Sequence, residues 1–334
     1  MPAITTEHRL LFEVELEPSL GERFQPTGFP DLGHALYDIP TSDGGTRRAL
    51  LVESAQSMAN RLEATGWDPI SNAPVPTLDG LPHVRVVRAE SGDYLTSSRT
   101  EAHRLASAFV KDSTLEGRSM REVIRERLGL QDDRPISVHQ IAAAVFDLDP
   151  LCLVHGVFFA EDAKVWPGQP KVARALTGFV EAFDVEPAHS GGVKRDHVRH
   201  SISEGTGGTA EGYGSVPFHR TEWTAGRIVA RFGIDRAQIT SYGLDAARTE
   251  LLEKIALWEI RSLLEGGLRL RTACDLFPVT DELVDQSTAT VPSVAELDEQ
   301  IRGLIGEIGH ADPLEVEWSP ERKGRKKKTE EADE

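Results

Sequence analysis

Residues 47–65 read RRALLVESAQSMANRLEAT, and their hydrophobic period changes part-way along. From Arg47 to Glu53 the apolar residues are contiguous, as in a strand covered by other elements. From Ser54 onward, Ala55, Met58, Ala59 and Leu62 return to one helical face, and the Ser54 hydroxyl is placed to cap the first free amides. A strand followed directly by a helix is the unit from which the fold class is read.

Upstream, Phe12, Val14 and Leu16 alternate with Glu13, Glu15 and Glu17, the period of a half-buried strand. The segment 18–46 is rich in Pro, Gly and Asp and lacks periodicity; its length marks a working loop. Downstream, HVRVVR at 83–88 predicts a strand. Three capping boxes then predict helices: Ser98 with Glu101, Ser119 with Glu122, and Ser137 with Gln140. LCLVHGVFFA at 151–160 reads as a buried strand, and another strand follows Gly178. Residues 218–234 read as a hairpin or bent strand turning near Gly226. Residues 246–265 form the strongest helix, broken by Gly266 and Gly267, and RLRTACDLFPV at 269–279 closes as a last strand. No internal repeat is present. The order of elements predicts an α+β fold, a split βαβ ferredoxin-like sheet with helices on one face.

The chain has 334 residues, 39% of them hydrophobic, enough for a substantial core. Neither a targeting leader nor a stretch of 18 apolar residues is evident, so export and membrane insertion are not expected. Cys152 and Cys274 sit in apolar contexts and predict two buried thiols in a reducing cytoplasm. The net charge of -17 excludes indiscriminate nucleic-acid binding, but the charge is uneven. Residues 281–317 hold ten Asp or Glu against the single Arg302, and RKGRKKKTEEADE at 322–334 reads as a solvated tail.

Residues 191–214, GGVKRDHVRHSISEGTGGTAEGYG, hold seven glycines and three Lys or Arg. His197 and His200, with His189 and His219 nearby, suggest a metal site, but no cysteine joins them and Lys194, Arg195 and Arg199 would repel a cation. Gly205, Gly207 and Ala210 satisfy G-x-G-x-x-A without the flanking strand and helix that a nucleotide cradle needs. No nucleophile elbow occurs. Basic residues clustered with histidines and Tyr213 can instead neutralise phosphate and stack on a base. A second anion candidate is the helix start Ser54, Gln56 and Ser57, preceded by Arg47 and Arg48. The arginines at 99–127 read mostly as solvated faces balanced by Glu.

Taken together, RALLVESAQSMANRLE (48–63), SGGVKRDHV (190–198), GYGSVPFHRTEWTA (212–225) and ALWEIRSLLEGGLRLRTACDL (256–276) resemble the Cas-seven backbone subunit of type I-G CRISPR effector complexes, formerly type I-U. The resemblance spans most of residues 8–279. It implies membership of the RAMP superfamily: an RRM-like, ferredoxin-like palm over 1–280, with a helical insertion at about 98–147 and an extended β-hairpin thumb at about 189–222. The acidic extension at 281–320 and the disordered tail at 321–334 lie beyond it.

The resemblance further implies a non-catalytic crRNA-binding subunit that stacks with copies of itself in a helical filament, in a DNA-targeting Cascade. Its partners would be the crRNA, the target DNA strand paired to the guide, the large subunit and the crRNA-processing or end-capping subunit, with no cofactor and no metal. The RNA-binding residues would be Arg47, Arg48, Ser54, Gln56, Ser57, Lys194, Arg195, Arg199, His200, His219 and Arg220. Two alternatives stay open: an RNA endonuclease using a loop aspartate among Asp31, Asp38 and Asp43, or a partner-binding module without nucleic acid.

Overall fold

The computed structural model describes residues 8–29, 33–160, 165–194, 216–280, 283 and 291–320. They fall into two compact units, each assembled from three separate stretches of chain. The first takes residues 1–66, 175–240 and 249–304; the second takes 67–174, 241–248 and 305–334.

The first unit is built on a seven-stranded sheet. Its elements are β1 (Arg9–Pro18), β2 (Leu36–Pro40), β3 (Thr46–Glu53), α1 (Ala55–Ala64), β4 (Leu176–Phe183), β5 (Glu186–Lys194), β6 (Val216–Thr224), β7 (Arg227–Asp235), α2 (Ala246–Glu265, from Thr249 onward), β8 (Leu268–Arg271), β9 (Cys274–Pro278) and α3 (Val294–Ile308, as far as Leu304). The sheet order is β8-β9-β1-β7-β4-β3-β2, and β5 pairs with β6 in a separate two-stranded ribbon. Without the β2–β3 hairpin at one edge and β8 at the other, the remaining strands β9-β1-β7-β4 stand in the order fourth, first, third, second, with every neighbouring pair antiparallel. With α1 before the second strand and α2 after the third, this is the ferredoxin-like βαββαβ topology expected from the sequence.

The alternation in β1 sets its two faces: Phe12, Val14 and Leu16 are buried, while Glu13 and Glu15 are exposed. Met58 and Leu62 of α1 are fully buried and Gly178 lies beneath Met58, where a Cβ would sit 3.0 Å from the methionine Cγ. The opposite face of the sheet carries an ion-pair lattice. Glu13 accepts from Arg227 at 2.7 Å and from Arg231 at 3.1 Å, and Arg231 also bonds Glu181 at 2.5 Å. The stretch 269–279, expected as one strand, is a hairpin, because the chain turns at Thr272 and Ala273 between β8 and β9.

The second unit has its own five-stranded sheet, ordered Arg118–Ser119, Thr114–Leu115, Leu314–Trp318, Val84–Arg88, Tyr94–Ser97. The stretch expected as a helical insertion over about 98–147 therefore lies in a larger, mixed unit that begins at Trp67. The central strand Leu314–Trp318 comes from the acidic C-terminal region and runs parallel to Val84–Arg88. Helices Met120–Arg127 and Val138–Leu148 form where the second and third capping boxes place them, and the Ser137 hydroxyl accepts from Gln140 N–H at 3.3 Å.

Two local expectations do not hold in the structure. Ser98 does not cap a helix: its hydroxyl is fully buried, donates to Asp149 and accepts from Val84 N–H. The nearest α-helix is the short Ala108–Lys111, capped by Ser107 and preceded by a single 3-10 turn at Arg104–Ala106. LCLVHGVFFA opens as a helix, Leu151–His155, every residue of which is buried. A segment apolar all round shows no period, so strand and buried helix read alike in sequence. The Asp149 carboxylate fixes the helical start by accepting from Leu151 N–H at 3.1 Å. Gly156 ends it at φ 82°, a backbone region open to glycine.

Beside this carboxylate lies His83, 3% exposed, its ring edge-on to Trp67 at 5.8 Å. Burial, aided by the Arg99 guanidinium, pushes its imidazole down to about 4. A histidine buried neutral contributes stability that is complete above its unfolded value of about 6.5 and is lost as pH falls towards 4. Urea denaturation of the full chain from pH 7.5 to 4.5 should show a fall of order 2 kcal/mol beyond the background. The variant His83→Phe should flatten that component; an unchanged slope would show that His83 is not its source.

Candidate functional site

The functional surface is organised around the end of β3 and the root of the β5–β6 hairpin. Between Val180 and Glu181 the β3–β4 register shifts, pairing Val180 with Glu53 and Glu181 with Leu51. Val52 is the extra residue of this bulge, and its carbonyl is released from the ladder. That oxygen accepts instead from Thr27 N–H at 3.0 Å and from the Arg271 guanidinium at 3.2 Å. The long loop after β1 is thereby tied to the strand–helix junction.

Glu53, the last residue of β3, is wholly buried. Its carboxylate accepts from Arg61 Nε at 2.9 Å, from Arg271, and from the Ser57 hydroxyl in the first turn of α1. Two guanidiniums against one carboxylate leave this cluster net positive, and the two arginine side chains remain 29% and 26% exposed. Ser54 caps α1, accepting from Ser57 N–H at 3.3 Å.

The hairpin continues the second and third palm strands: β4 leads into β5, and β6 leads back into β7. Its nine residue pairs run from Glu186–Thr224 to Lys194–Val216. At its root Phe24 and Trp223 exchange both backbone hydrogen bonds, at 2.9 Å each. The Trp223 indole N–H donates to His34 Nδ1 at 2.7 Å, and burial lowers the His34 imidazole below its ordinary value. A cavity of about 370 Å³ lies alongside, lined by Gln25, Pro26, Thr27, Gly28, Gly33, His34 and Arg271.

The residues singled out by sequence do not form one cluster. Arg47 and Arg48 stand at the beginning of β3 and Ser54 just past its end, about 20 Å apart at strand rise. They therefore do not support the helix start, as their position before it in sequence suggested. Both instead belong to the hairpin root, where Asp184 N–H donates to the Arg48 carbonyl at 3.0 Å. The Arg47 guanidinium lies over the Phe183 ring at 4.7 Å, and Arg48 pairs with Asp38 at 3.5 Å.

His219 and Arg220 are exposed on β6 and, as consecutive residues of a strand, point to opposite faces. Arg220 is 3.4 Å from Glu222. Gln56 is exposed on α1. Lys194 closes β5, while Arg195, His197, Arg199, His200 and Asp31 lie outside the described residues. Asp43 accepts from the Thr41 hydroxyl and Gly45 N–H within its own turn, which holds its carboxyl below the usual range. Of the arginines at 99–127 read mostly as solvated faces balanced by Glu, Arg118, Arg121 and Arg125 pair with Glu126, Asp112 and Asp132, whereas Arg99 and Arg104 are buried, Arg99 against Asp149 and Arg104 on the Gly156 carbonyl. Glu53, Arg61, Arg271, His34 and Trp223 carried no sequence signal beyond an acid at the end of an apolar strand.

The family model described as CRISPR-associated protein GSU0053 matches residues 10–187, from β1 to the start of the hairpin and more than half of the chain. The chain belongs to this CRISPR-associated family. The expectation drawn from the four resembling stretches is thus borne out at the level of the family. Comparison with curated proteins gives no match. Among solved structures, this CRISPR-associated protein is similar to a chain of a CRISPR RNA-guided surveillance complex in a pre-nicking state, at 12% identity and a TM-score of 0.39, over 81% of this chain and 74% of that one. It is also similar to Csc2 of Thermofilum pendens, at 9% identity and a TM-score of 0.32, over 90% and 75%. Among the described residues no helix is long and apolar enough to cross a membrane.

Proposed function

We propose that this CRISPR-associated protein is a non-catalytic guide-RNA-binding subunit whose copies repeat along the crRNA as the backbone of a type I-G Cascade. The observation that carries this reading is the hairpin, which lengthens the second and third strands of a ferredoxin-like palm and bears Lys194, His219 and Arg220. The sequence between its strands adds Arg195, Arg199 and His200. Arg47 and Arg48 sit at its root, and the Ser54, Gln56 and Ser57 helix start offers a second phosphate contact beside a net-positive cluster. A subunit that binds backbone can leave sequence reading to base pairing between guide and target DNA. Head-to-tail repetition of one surface gives a filament, to which a large subunit and an end-capping subunit attach. Target cleavage then falls to a separate helicase-nuclease.

The protein co-expressed with a guide RNA and purified at moderate salt is expected to carry RNA, read as a high ratio of absorbance at 260 to 280 nm. Reversing Lys194, Arg195 and Arg199 together to Glu should strip most of that RNA. It should also make the slope of log affinity against log salt shallower by about 2, from three lost phosphate contacts. Unchanged RNA content in this variant would refute the assignment. Cuts at fixed intervals in a labelled complementary RNA would favour the endonuclease reading instead.

A further inference from the structure

We propose that His34 is the positioning residue of the β5–β6 hairpin: its neutral imidazole latches Trp223 at the hairpin root, and a proton on Nδ1 opens the latch. The role of the hairpin itself rests on the RNA-binding reading above. Ladder pairing does not set the direction of the hairpin, because palm pairing ends at Phe183–Arg227 and the hairpin's own begins at Glu186–Thr224. Between them the chain leaves the sheet at Asp184, whose backbone is left-handed at φ 54°, and at Ala225 and Gly226. Contacts from the long loop after β1 then hold the ribbon at its root.

Two of these contacts meet Trp223. Phe24, 1% exposed, pairs with it through the backbone. His34 is brought back to it by the pairing of Gly28 and Phe29 with His34 and Gly33, and its ring lies edge-on to the indole at 5.8 Å. Gly28 makes room for that ring, since a Cβ there would come within 2.8 Å of His34 Cδ2. An indole N–H can only donate, so the Nδ1 it meets at 2.7 Å carries the lone pair and the proton of the neutral ring sits on Nε2. Protonation would set a second N–H against the first, and Trp223, 5% exposed, has little water to replace the lost acceptor. The titratable groups on the elements packed around the pair have other partners. Arg271, in the same cavity wall as His34, is set against Glu53. Glu222, on the other face of β6 from Trp223, pairs with Arg23 and Arg220, while His189, on the Trp223 face, meets the Thr221 hydroxyl at 3.5 Å. Burial lowers the His34 imidazole, so the latch is fully closed above the unfolded value of about 6.5 and opens as pH falls through the lower folded value.

The test reads hydrogen exchange of the Phe24 and Trp223 amides in the full chain without RNA, at about pH 7.5 and about pH 5, as protection relative to an unstructured peptide. The wild type is expected to lose on the order of ten-fold in protection at the lower pH. His34→Asn, which puts an amide oxygen in the place of Nδ1 and does not titrate, should keep its protection at both; His34→Leu should lack it at both. Amides of β1 and β7 report whether the palm is intact, and if His34→Leu unfolds it, the comparison of wild type with His34→Asn decides. At the higher pH His34→Leu should also bind guide RNA on the order of ten-fold more weakly with an unchanged salt slope, since no phosphate contact is lost, and His34→Asn should bind as the wild type does. Wild-type protection independent of pH, a fall in His34→Asn equal to that of the wild type, or a folded His34→Leu that binds RNA as tightly as the wild type would each overturn the latch. A wild type that binds no RNA while its exchange changes as expected would overturn the proposed function and leave the latch standing.

Discussion

Deletion of residues 310–334 is expected to abolish the fold of the second unit. The strand Leu314–Trp318 is the middle of its five-stranded sheet, bonded to Val84–Arg88 on one side and to Thr114 on the other. Without it the sheet becomes two separate two-stranded pieces, and an isolated pair of strands is marginal in water. Val316, 1% exposed, also leaves a core that includes Val84 and Val86. Hydrogen exchange should show protection of Val84–Arg88 lost, while β1 and β7 of the first unit stay protected. Deletion of 321–334 alone, beyond the last described strand, should leave both patterns intact. Protection surviving the longer deletion would show that the strand decorates the sheet and does not complete it.

The second large effect is expected from Asp149→Ala. Asp149 is 1% exposed and accepts from Arg99 Nε at 2.7 Å, the Ser98 hydroxyl at 2.5 Å and Leu151 N–H at 3.1 Å. Its removal leaves the Arg99 guanidinium, whose side chain is 3% exposed, without a counter-charge in the interior. Breaking such a pair costs about 3–5 kcal/mol, a large part of a domain's total stability. The urea midpoint should fall accordingly. The double replacement Asp149→Leu with Arg99→Met should recover much of the loss, because the penalty comes from the stranded charge and not from the absent attraction. A double variant as unstable as Asp149→Ala would contradict this account.

Much of the palm was legible because its elements state their own period. The alternation from Phe12 to Leu16, the change of period at Ser54 and the helix at 246–265 each depend on residues close in sequence, and the structure places all three as read. What escaped was decided by distant partners. Ser98 carries a helix-capping pattern, yet a buried carboxylate about 50 positions on takes its hydroxyl. Leu151–His155 is apolar on every side, so only Asp149 at its head distinguishes it from a strand. In the candidate site, Glu53 and Arg271 are unremarkable in their own neighbourhoods, and only the bulge at Val52 brings them together. Basic residues were easier to find than to group: Arg47, Arg48 and Ser54 are close in sequence, but an extended strand holds them apart.

The interleaving of the two units also delays the closure of both sheets. β1 must wait for β7 and β9 in the palm, and Val84–Arg88 must wait for Leu314–Trp318 in the second unit, each pairing joining segments from opposite thirds. High contact order slows closure, because the intervening chain must lose its freedom before the pairing compensates. On the ribosome, Val84–Arg88 emerges long before its partner and waits with one edge unsatisfied. The second unit is therefore aggregation-exposed in a nascent chain until Leu314–Trp318 is made, and that strand is what protects the much earlier Val84–Arg88.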